Sequence, residues 1–244
     1  MTLALFLVDA LPEGAGFTLD GPEGRHAAAV RRLRVGEELL VSDGRGRVAR
    51  CAVSVAGKDS LELAVVDRWE EPPPSPRVVV VQALAKGDRG ELAVELATEA
   101  GVDAVVPWRA ARCVAKWDDG PRGAKALERW RATARAAAKQ ARRPWVPEVA
   151  EPVGLPGLLA LVQVSALALV LEAGLATRLA EVPLPESGDL VVVVGPEGGI
   201  TEEELRALEQ AGARPVRLGP SVLRTSTAAA VALGALGALT ARWR

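Results

Sequence analysis

Residues Glu70-Glu71-Pro72-Pro73-Pro74-Ser75-Pro76 carry four prolines in five positions. Such a run lacks the amide donors of a central strand and the geometry of a helix, so it stiffens into an extended connector and divides the chain. The segments before it read as short strands: Leu3–Val8, Glu38–Ser42, Arg47–Val55 and Leu61–Asp67. Asp43-Gly44-Arg45-Gly46 reads as a hairpin turn and Pro22–Leu33 as a short helix. Residues 1–71 are therefore expected to form a small β domain, with closure into a barrel the usual way to hide its edges.

Beyond the prolines the rhythm becomes strand–helix alternation. That predicts an α/β domain over 72–244, with a parallel sheet covered by helices on both sides. The strands are expected at Val78–Leu84, Asp103–Pro107, Leu167–Leu171, Leu190–Val194 and Pro215–Leu218, mostly apolar runs suited to burial on both faces. The helices are expected at Glu91–Ala100, Lys125–Arg143, Glu202–Ala211 and Thr225–Trp243. Gly101 and Gly212 stand where helices stop, Pro144 blocks the long helix, and Thr201-Glu202-Glu203-Glu204 is a capping box. From Ala228 to Leu239 the last helix is apolar all round, so it needs cover on every side, and one sheet covers only one. Its small residues let a second helix approach closely, which predicts a homodimer; a single large domain core that absorbs the helix is the other reading.

Composition removes several classes of function. No run of 18 apolar residues exists, and the first thirty residues lack a basic stretch followed by an apolar one. No membrane span or secretion signal is expected, and the expected location is cytoplasmic. Two cysteines, Cys51 and Cys113, make neither a disulfide framework nor a Cys-rich zinc site, and the single His26 leaves no multi-His metal site. Net charge is −1, yet residues 109–143 carry 11 basic against 3 acidic side chains. That concentration fits a polyanion footprint, or else a solvated helix face.

Within helix Lys125–Arg143, Leu127, Trp130, Ala134, Ala137, Ala138 and Ala141 share one face. Arg131, Arg135, Lys139 and Arg142 run beside it as a stripe of mutually repelling charges, a candidate grip on nucleic-acid phosphates. In residues 25–34, Ala29, Val30 and Leu33 are available to face the β core, which turns Arg25, Arg31 and Arg34 outward around His26 as an RNA grip needs; the other reading makes the lone His26 a hydrogen-bonded structural residue. The tryptophans suit core and interface, except Trp117, which stands beside Lys116 where a base could stack.

Ligands of open parallel sheets sit beyond the carboxyl ends of the strands. Three loops there are unusual: Leu171-Glu172-Ala173-Gly174, Gly195-Pro196-Glu197-Gly198-Gly199, and Gly219-Pro220-Ser221-Val222-Leu223-Arg224-Thr225. None is a dinucleotide or phosphate loop. Pro196 removes a donor, and Glu202, Glu203 and Glu204 would repel a pyrophosphate at the helix start. A cationic cofactor with an adenosine to bury, such as S-adenosylmethionine, suits them better; a plain tight turn is the other reading.

The run from Val191 to Thr201, followed by that from Leu218 to Ala228, resembles the RsmE family. Its members methylate uridine N3 in small-subunit ribosomal RNA and belong to the SPOUT class. The likeness continues in His26 to Arg34 with Gly36 and Asp43-Gly44, in Lys86-Gly87, in Glu99 to Val102, in Arg112-Cys113, and in Ala138 to Pro147. Two positions depart from the pattern. Leu5 stands before Phe6 where an arginine is usual, and Ser226 stands where a glutamate is usual.

The resemblance implies a PUA-like barrel joined to a SPOUT-type trefoil-knotted parallel-sheet domain, a homodimer, and ribosomal RNA of the small subunit as partner. It implies S-adenosylmethionine held by Leu171, Glu172 and Gly174, by Gly195, Pro196, Glu197, Gly198 and Gly199, and by Leu218, Gly219, Val222, Leu223 and Thr225. Methylation at N3 needs that nitrogen as an anion, and a guanidinium can stabilise it beside a sulfonium where a carboxylate would mainly remove the proton. Arg224 is the candidate catalytic residue, against a reading in which it only caps backbone carbonyls. Glu197 is either a base or structural.

Three classes of function remain open. A non-catalytic RNA binder would not need the intact loops. A nucleotide-dependent oxidoreductase would need a phosphate loop. Within methyl transfer, 2′-O-methylation is the near neighbour.

Overall fold

The computed structural model describes residues 3–174 and 176–243. They divide into two compact units, Met1–Pro73 with Ala138–Val146, and Pro74–Ala137 with Pro147–Arg244.

The first unit is built on β1 (Leu5–Leu7), β2 (Gly16–Leu19), α1 (Gly21–Arg25), β3 (Glu38–Ser42), β4 (Arg47–Ala56) and β5 (Leu61–Glu70). The strands form one curled sheet in the order β1-β3-β4-β5-β2, with β1 parallel to β3 and the other pairs antiparallel. Register shifts in β4 between Arg50 and Cys51 and between Val53 and Val55 sharpen the local twist. Phe6, Leu19, Leu39, Val41, Cys51, Leu61 and Leu63 close one core inside it. Strand β2 is not foreshadowed by the sequence, because its four residues have one buried side chain and so no visible alternation.

After α1 the chain makes a π-helical turn over His26–Val30, in which the Arg31 N–H donates to the His26 carbonyl at 2.8 Å. The extra residue in that turn rotates the following face. Ala27, Ala28 and Leu33 meet the core, whereas Ala29 is exposed and Val30 is 66% exposed. The expected inward-facing set is corrected at those two positions.

Residues 138–146 join this unit by backbone pairing to the β3–β4 turn. The Gly46 N–H donates to the Pro144 carbonyl at 3.0 Å, and the Val146 N–H to that of Gly44 at 2.9 Å. The Trp145 indole donates to the Glu71 carbonyl at 3.1 Å.

The second unit runs β6 (Arg77–Ala83), α2 (Arg89–Glu99), β7 (Ala104–Trp108), α3 (Pro121–Gln140), β8 (Glu148–Val149), α4 (Leu155–Val164), β9 (Leu167–Leu171), β10 (Asp189–Val194), α5 (Glu202–Gln210), β11 (Arg214–Val216) and α6 (Thr225–Leu239). The last turn of α3, from Ala138, belongs to the first unit. The six strands form a parallel sheet in the order β11-β9-β10-β6-β7-β8. Central strands β6, β9 and β10 are buried almost throughout, as their unbroken valine and leucine runs require.

Gly101 and Gly212 end α2 and α5 as expected, with φ of +98° and +107°. At each, the next amide reaches back to a carbonyl five residues earlier, Val102 to Ala97 and Ala213 to Leu208. Helix α3 departs from its expected bounds at both ends. It starts at Pro121, because proline fits a first turn, and it stops at Gln140, before Pro144. Arg142 takes the left-handed conformation at φ +56°, and the Arg143 N–H bonds the Ala138 carbonyl at 2.8 Å, so the helix closes on its own carbonyls. Helix α4 and the two-residue β8 have no periodic signal in the sequence and were not expected.

Candidate active site

Strands β9, β10 and β11 lie side by side at one edge of the parallel sheet, so the loops leaving their carboxyl ends converge. Together they enclose a cleft of about 360 Å³. Leu171, Glu172, Gly195, Pro196, Glu197, Gly199, Val222, Leu223, Arg224 and Thr225 line it, with Val194, Ile200 and Ala228 as additional apolar wall. An adjoining recess of about 80 Å³ shares Leu171, Glu172, Val222 and Leu223 and adds Leu218 and Gly219. Of the expected cofactor residues, Gly174 and Gly198 line neither space. Gly198 instead packs on Arg112, whose guanidinium donates to its carbonyl at 3.2 Å. Sequence reasoning missed Arg89, the first residue of α2, which also lines the cleft.

Hydrogen bonds hold the three loops in place. The Thr225 hydroxyl, at the start of α6, donates to the Gly195 carbonyl at 2.8 Å and accepts from the Gln82 side chain of β6 at 2.9 Å. A Cβ on Gly195 would lie 2.8 Å from Ile200, so this position admits only glycine without a shift. One Glu197 oxygen accepts from the Lys86 N–H at 3.1 Å. The capping box forms as expected: Thr201 Oγ1 accepts from the Glu204 N–H at 3.1 Å, and the Glu204 carboxylate accepts from the Thr201 N–H at 3.0 Å. Its other oxygen accepts from the Ala111 N–H at 2.8 Å, which clips the loop after β7 to α5.

Glu204 is 5% exposed, so removing its carboxylate strands three donors in a dry place. Glu204→Ala is expected to lower unfolding free energy by roughly 1–3 kcal/mol. Urea unfolding monitored by tryptophan fluorescence measures it, and an unchanged midpoint would contradict this role.

Arg224 is exposed at the lip of the cleft as the N-cap of α6. Among the described residues its guanidinium has no hydrogen bond or ion pair, so it is not spent on backbone carbonyls. The two thiols are buried and line neither space. Burial pushes Cys51 up to about 11 despite nearby Arg68, and burial likewise raises Cys113.

The candidate RNA residues separate into groups. In the first unit, His26, Arg31, Lys139 and Arg142 line one recess of about 90 Å³ with Leu5 and Phe6. Lys139 lies 5.6 Å above the Phe6 ring and 2.8 Å from Glu23. Arg25 and Arg34 are exposed outside that recess. In the second unit, Arg131 is held by Glu128 at 2.7 Å and Glu151 at 2.9 Å, and Arg135 is exposed. The stripe is therefore partly neutralised within the protein. No helix among the described residues is long and apolar enough to cross a membrane.

The chain matches the RNA methyltransferase domain family over residues 71–237 and the RNA methyltransferase PUA domain family over residues 19–66. It is 54% identical to the ribosomal RNA small subunit methyltransferase E of Mycobacterium bovis, over 100% of this chain and 94% of that one. The Bacillus subtilis protein of the same name is 32% identical, over 93% and 91%. The crystal structure of ribosomal RNA small subunit methyltransferase E from Neisseria gonorrhoeae, bound to S-adenosyl methionine, superposes with a TM-score of 0.84 at 28% identity, over 98% of each chain.

Proposed function

The chain belongs to the ribosomal RNA small subunit methyltransferase E family, and on that premise we propose that it methylates N3 of a uridine in small-subunit ribosomal RNA with S-adenosylmethionine as donor. The observation that carries this reading is the cleft formed by the loops after β9, β10 and β11, with the Arg224 guanidinium at its lip, unpaired among the described residues.

The cleft fits the cofactor. Leu171, Val194, Ile200, Leu223 and Ala228 offer an apolar wall for an adenine, and Glu172 and Glu197 offer carboxylates toward a sulfonium or ribose hydroxyls. Leu218, Gly219, Val222 and Thr225 extend that holding surface. Bound S-adenosylmethionine supplies an electrophilic methyl group. The protein's own task is the other reactant. Arg224 faces the uracil and stabilises negative charge on N3 and its flanking oxygens as the proton leaves. The proton itself passes to Glu197, the candidate base, whose carboxylate also accepts from the Lys86 amide, or to solvent.

The reading extends to the architecture. Residues 1–71, joined by 138–146, serve as a PUA-like RNA-binding barrel, and the rest of 72–244 serves as a knotted catalytic domain. The chain passes from β10 across β9 to β11 and then packs α6 against β10 and β6, an order that supports this reading. Helix α6 leaves Val231 47% and Leu239 46% exposed, an apolar strip that supports a homodimer. Sedimentation at micromolar concentration is expected to give twice the chain mass; a monomer would remove that part. The site of action is the cytoplasm, where ribosomes assemble.

RNA contacts are assigned to Arg25, His26, Arg31, Arg34, Lys139 and Arg142 in the first unit and to Arg131 and Arg135 in the second. Charge reversal of Arg135 and Arg142 is expected to weaken RNA binding and to lower the salt slope by roughly 0.7–0.9 for each phosphate no longer neutralised. S-adenosylmethionine affinity should stay the same, and unchanged RNA binding across salt concentrations would reduce these residues to a solvated face.

The reaction is tested by incubating naked small-subunit RNA and assembled subunits with labelled S-adenosylmethionine, then analysing nucleosides by mass spectrometry. 3-Methyluridine is the expected product. A 2′-O-methylated nucleoside would assign the protein to the neighbouring chemistry, and binding of NAD in place of S-adenosylmethionine would overturn methyl transfer altogether.

A further inference from the structure

A second cavity of about 280 Å³ opens in the same unit between the first turn of α2, the segment 115–117 and the start of α3. Its wall carries Lys116, Arg122 and Arg129 as cations and Glu91 as its one carboxylate, with Trp117 and Trp130 as aromatic surface. Arg129 is committed to Glu91 at 2.9 Å, whereas Lys116 and Arg122 are exposed and have no ion pair among the described residues. Trp130 is buried, and its ring meets that of Trp117 in a T-shaped contact at 4.9 Å and 75°. That contact supports the half-buried Trp117 indole at the cavity wall. Gly90 lets the Trp130 ring approach α2 closely, since a Cβ there would lie 2.8 Å from the ring.

The cavity and the methyl-transfer cleft share one partition. Residues 89–91 of α2 present Arg89 to the cleft and Gly90 and Glu91 to the cavity. Preceding them, Lys86 is tied to Glu197 of the cleft through its amide.

We infer that this cavity is a subsite for an unpaired nucleotide of the substrate RNA, its base stacked on Trp117 and its phosphate held by Lys116 and Arg122. The inference rests on the RNA methyltransferase reading and adds a nucleotide site to it. A preset indole face suits any base, because every base has a π face, and two uncommitted cations at its edge suit a phosphate. The free edge of the Glu91 carboxylate is available to accept from an exocyclic amine. An acidic peptide would satisfy the cations but leave the indole face unused. Because the two spaces share a wall, one strand can occupy both, with the nucleotide in the cavity flanking the one being methylated.

The test uses the full chain and labelled hexauridylate and hexa-adenylate in fluorescence anisotropy titrations at several salt concentrations. Trp117→Ala is expected to bind both about 5- to 100-fold more weakly, the usual worth of one stacked base. Trp117→Phe keeps a ring and should recover most of the affinity. Lys116→Ala with Arg122→Ala should lower the salt slope by roughly 0.7 for each phosphate that is released. Calorimetric S-adenosylmethionine affinity should be unchanged in all three variants. Wild-type RNA affinity in Trp117→Ala would overturn the inference. So would equal losses in the Ala and Phe variants, which mark a packing role, or competition by an acidic hexapeptide as strong as that by hexauridylate. Trp117-dependent RNA binding in a protein that does not bind S-adenosylmethionine would sustain this site while removing the methyl-transfer reading.

Discussion

Arg224→Ala is expected to lose about 10²–10³-fold in single-turnover methyl transfer, the usual cost of deleting one preorganised charge stabiliser. Its guanidinium is exposed at the lip of the cleft and makes no hydrogen bond or ion pair among the described residues, so the loop keeps its own bonds without it. S-adenosylmethionine affinity should change little, because loop backbone and apolar side chains form most of the wall. The variant should regain part of its rate as pH rises toward the uracil pKa, since solvent then supplies the anion that the arginine no longer favours. Wild type should gain less over the same range, its bound uracil being already easier to deprotonate. The measurement is quench-flow with pre-bound cofactor across a pH series. Loss of cofactor binding with an unaltered pH profile would make Arg224 a clamp on its loop and pass catalysis to Glu197.

Arg242→Met is expected to destabilise the second unit by roughly 3–5 kcal/mol, the cost of stranding one partner of a buried ion pair. Arg242 and Asp103 are each 8% exposed and meet at 2.7 Å, with a second hydrogen bond at 3.2 Å. The same guanidinium donates to the carbonyls of Pro76 and Gly101. It therefore ties the end of the chain to the entry of β6 and to the stop of α2. Asp103 also accepts from the Val78 amide at 2.8 Å, so the pair anchors the start of β6 as well. For a unit of this size the melting temperature should fall by roughly 6–20 °C. Arg242→Lys, which keeps charge but loses the planar fork, should fall between. Calorimetry measures both, and a shift under about 2 °C for Arg242→Met would mean that the pair is dispensable.

The parts of the molecule legible in the sequence are those governed by local chemistry. Strands β3 and β9 match their expected bounds to the residue, because each is a short run with one unambiguous pattern and a clear flanking break. Gly101, Gly212 and the Thr201–Glu204 box mark helix ends through backbone geometry that needs no distant partner. Where local and tertiary forces compete, expectation and structure part. The π-turn at His26 turns Ala29 and Val30 to solvent, and β2 exists only because β5 offers it an edge. Helix α4 has apolar residues on every side and proline in its first turn, so no period singles it out.

The same division holds for the candidate site. The glycine loops, the absence of a phosphate motif and the arginine before α6 are visible along the chain, because each is a matter of residue type and spacing. Residue type and spacing alone do not supply adjacency, which the sequence offered only through the family resemblance. The order β11-β9-β10 brings three loops together that are up to about fifty residues apart, and α2 adds Arg89 from a segment that reads only as a polar turn. Likewise the basic stripe is visible as a pattern, but Glu128 and Glu151 around Arg131 and Glu23 beside Lys139 emerge only once the chain is folded. By itself the sequence determined most of the strands, helices and turns, though not β2, β8 or α4, and which chemistry they carry, since those follow from periodicity and local backbone preference. Only the tertiary structure decided how the edge strand β2 pairs, that Arg89 joins the cleft and which charges are already paired, because all three depend on contacts between residues that the chain order keeps apart.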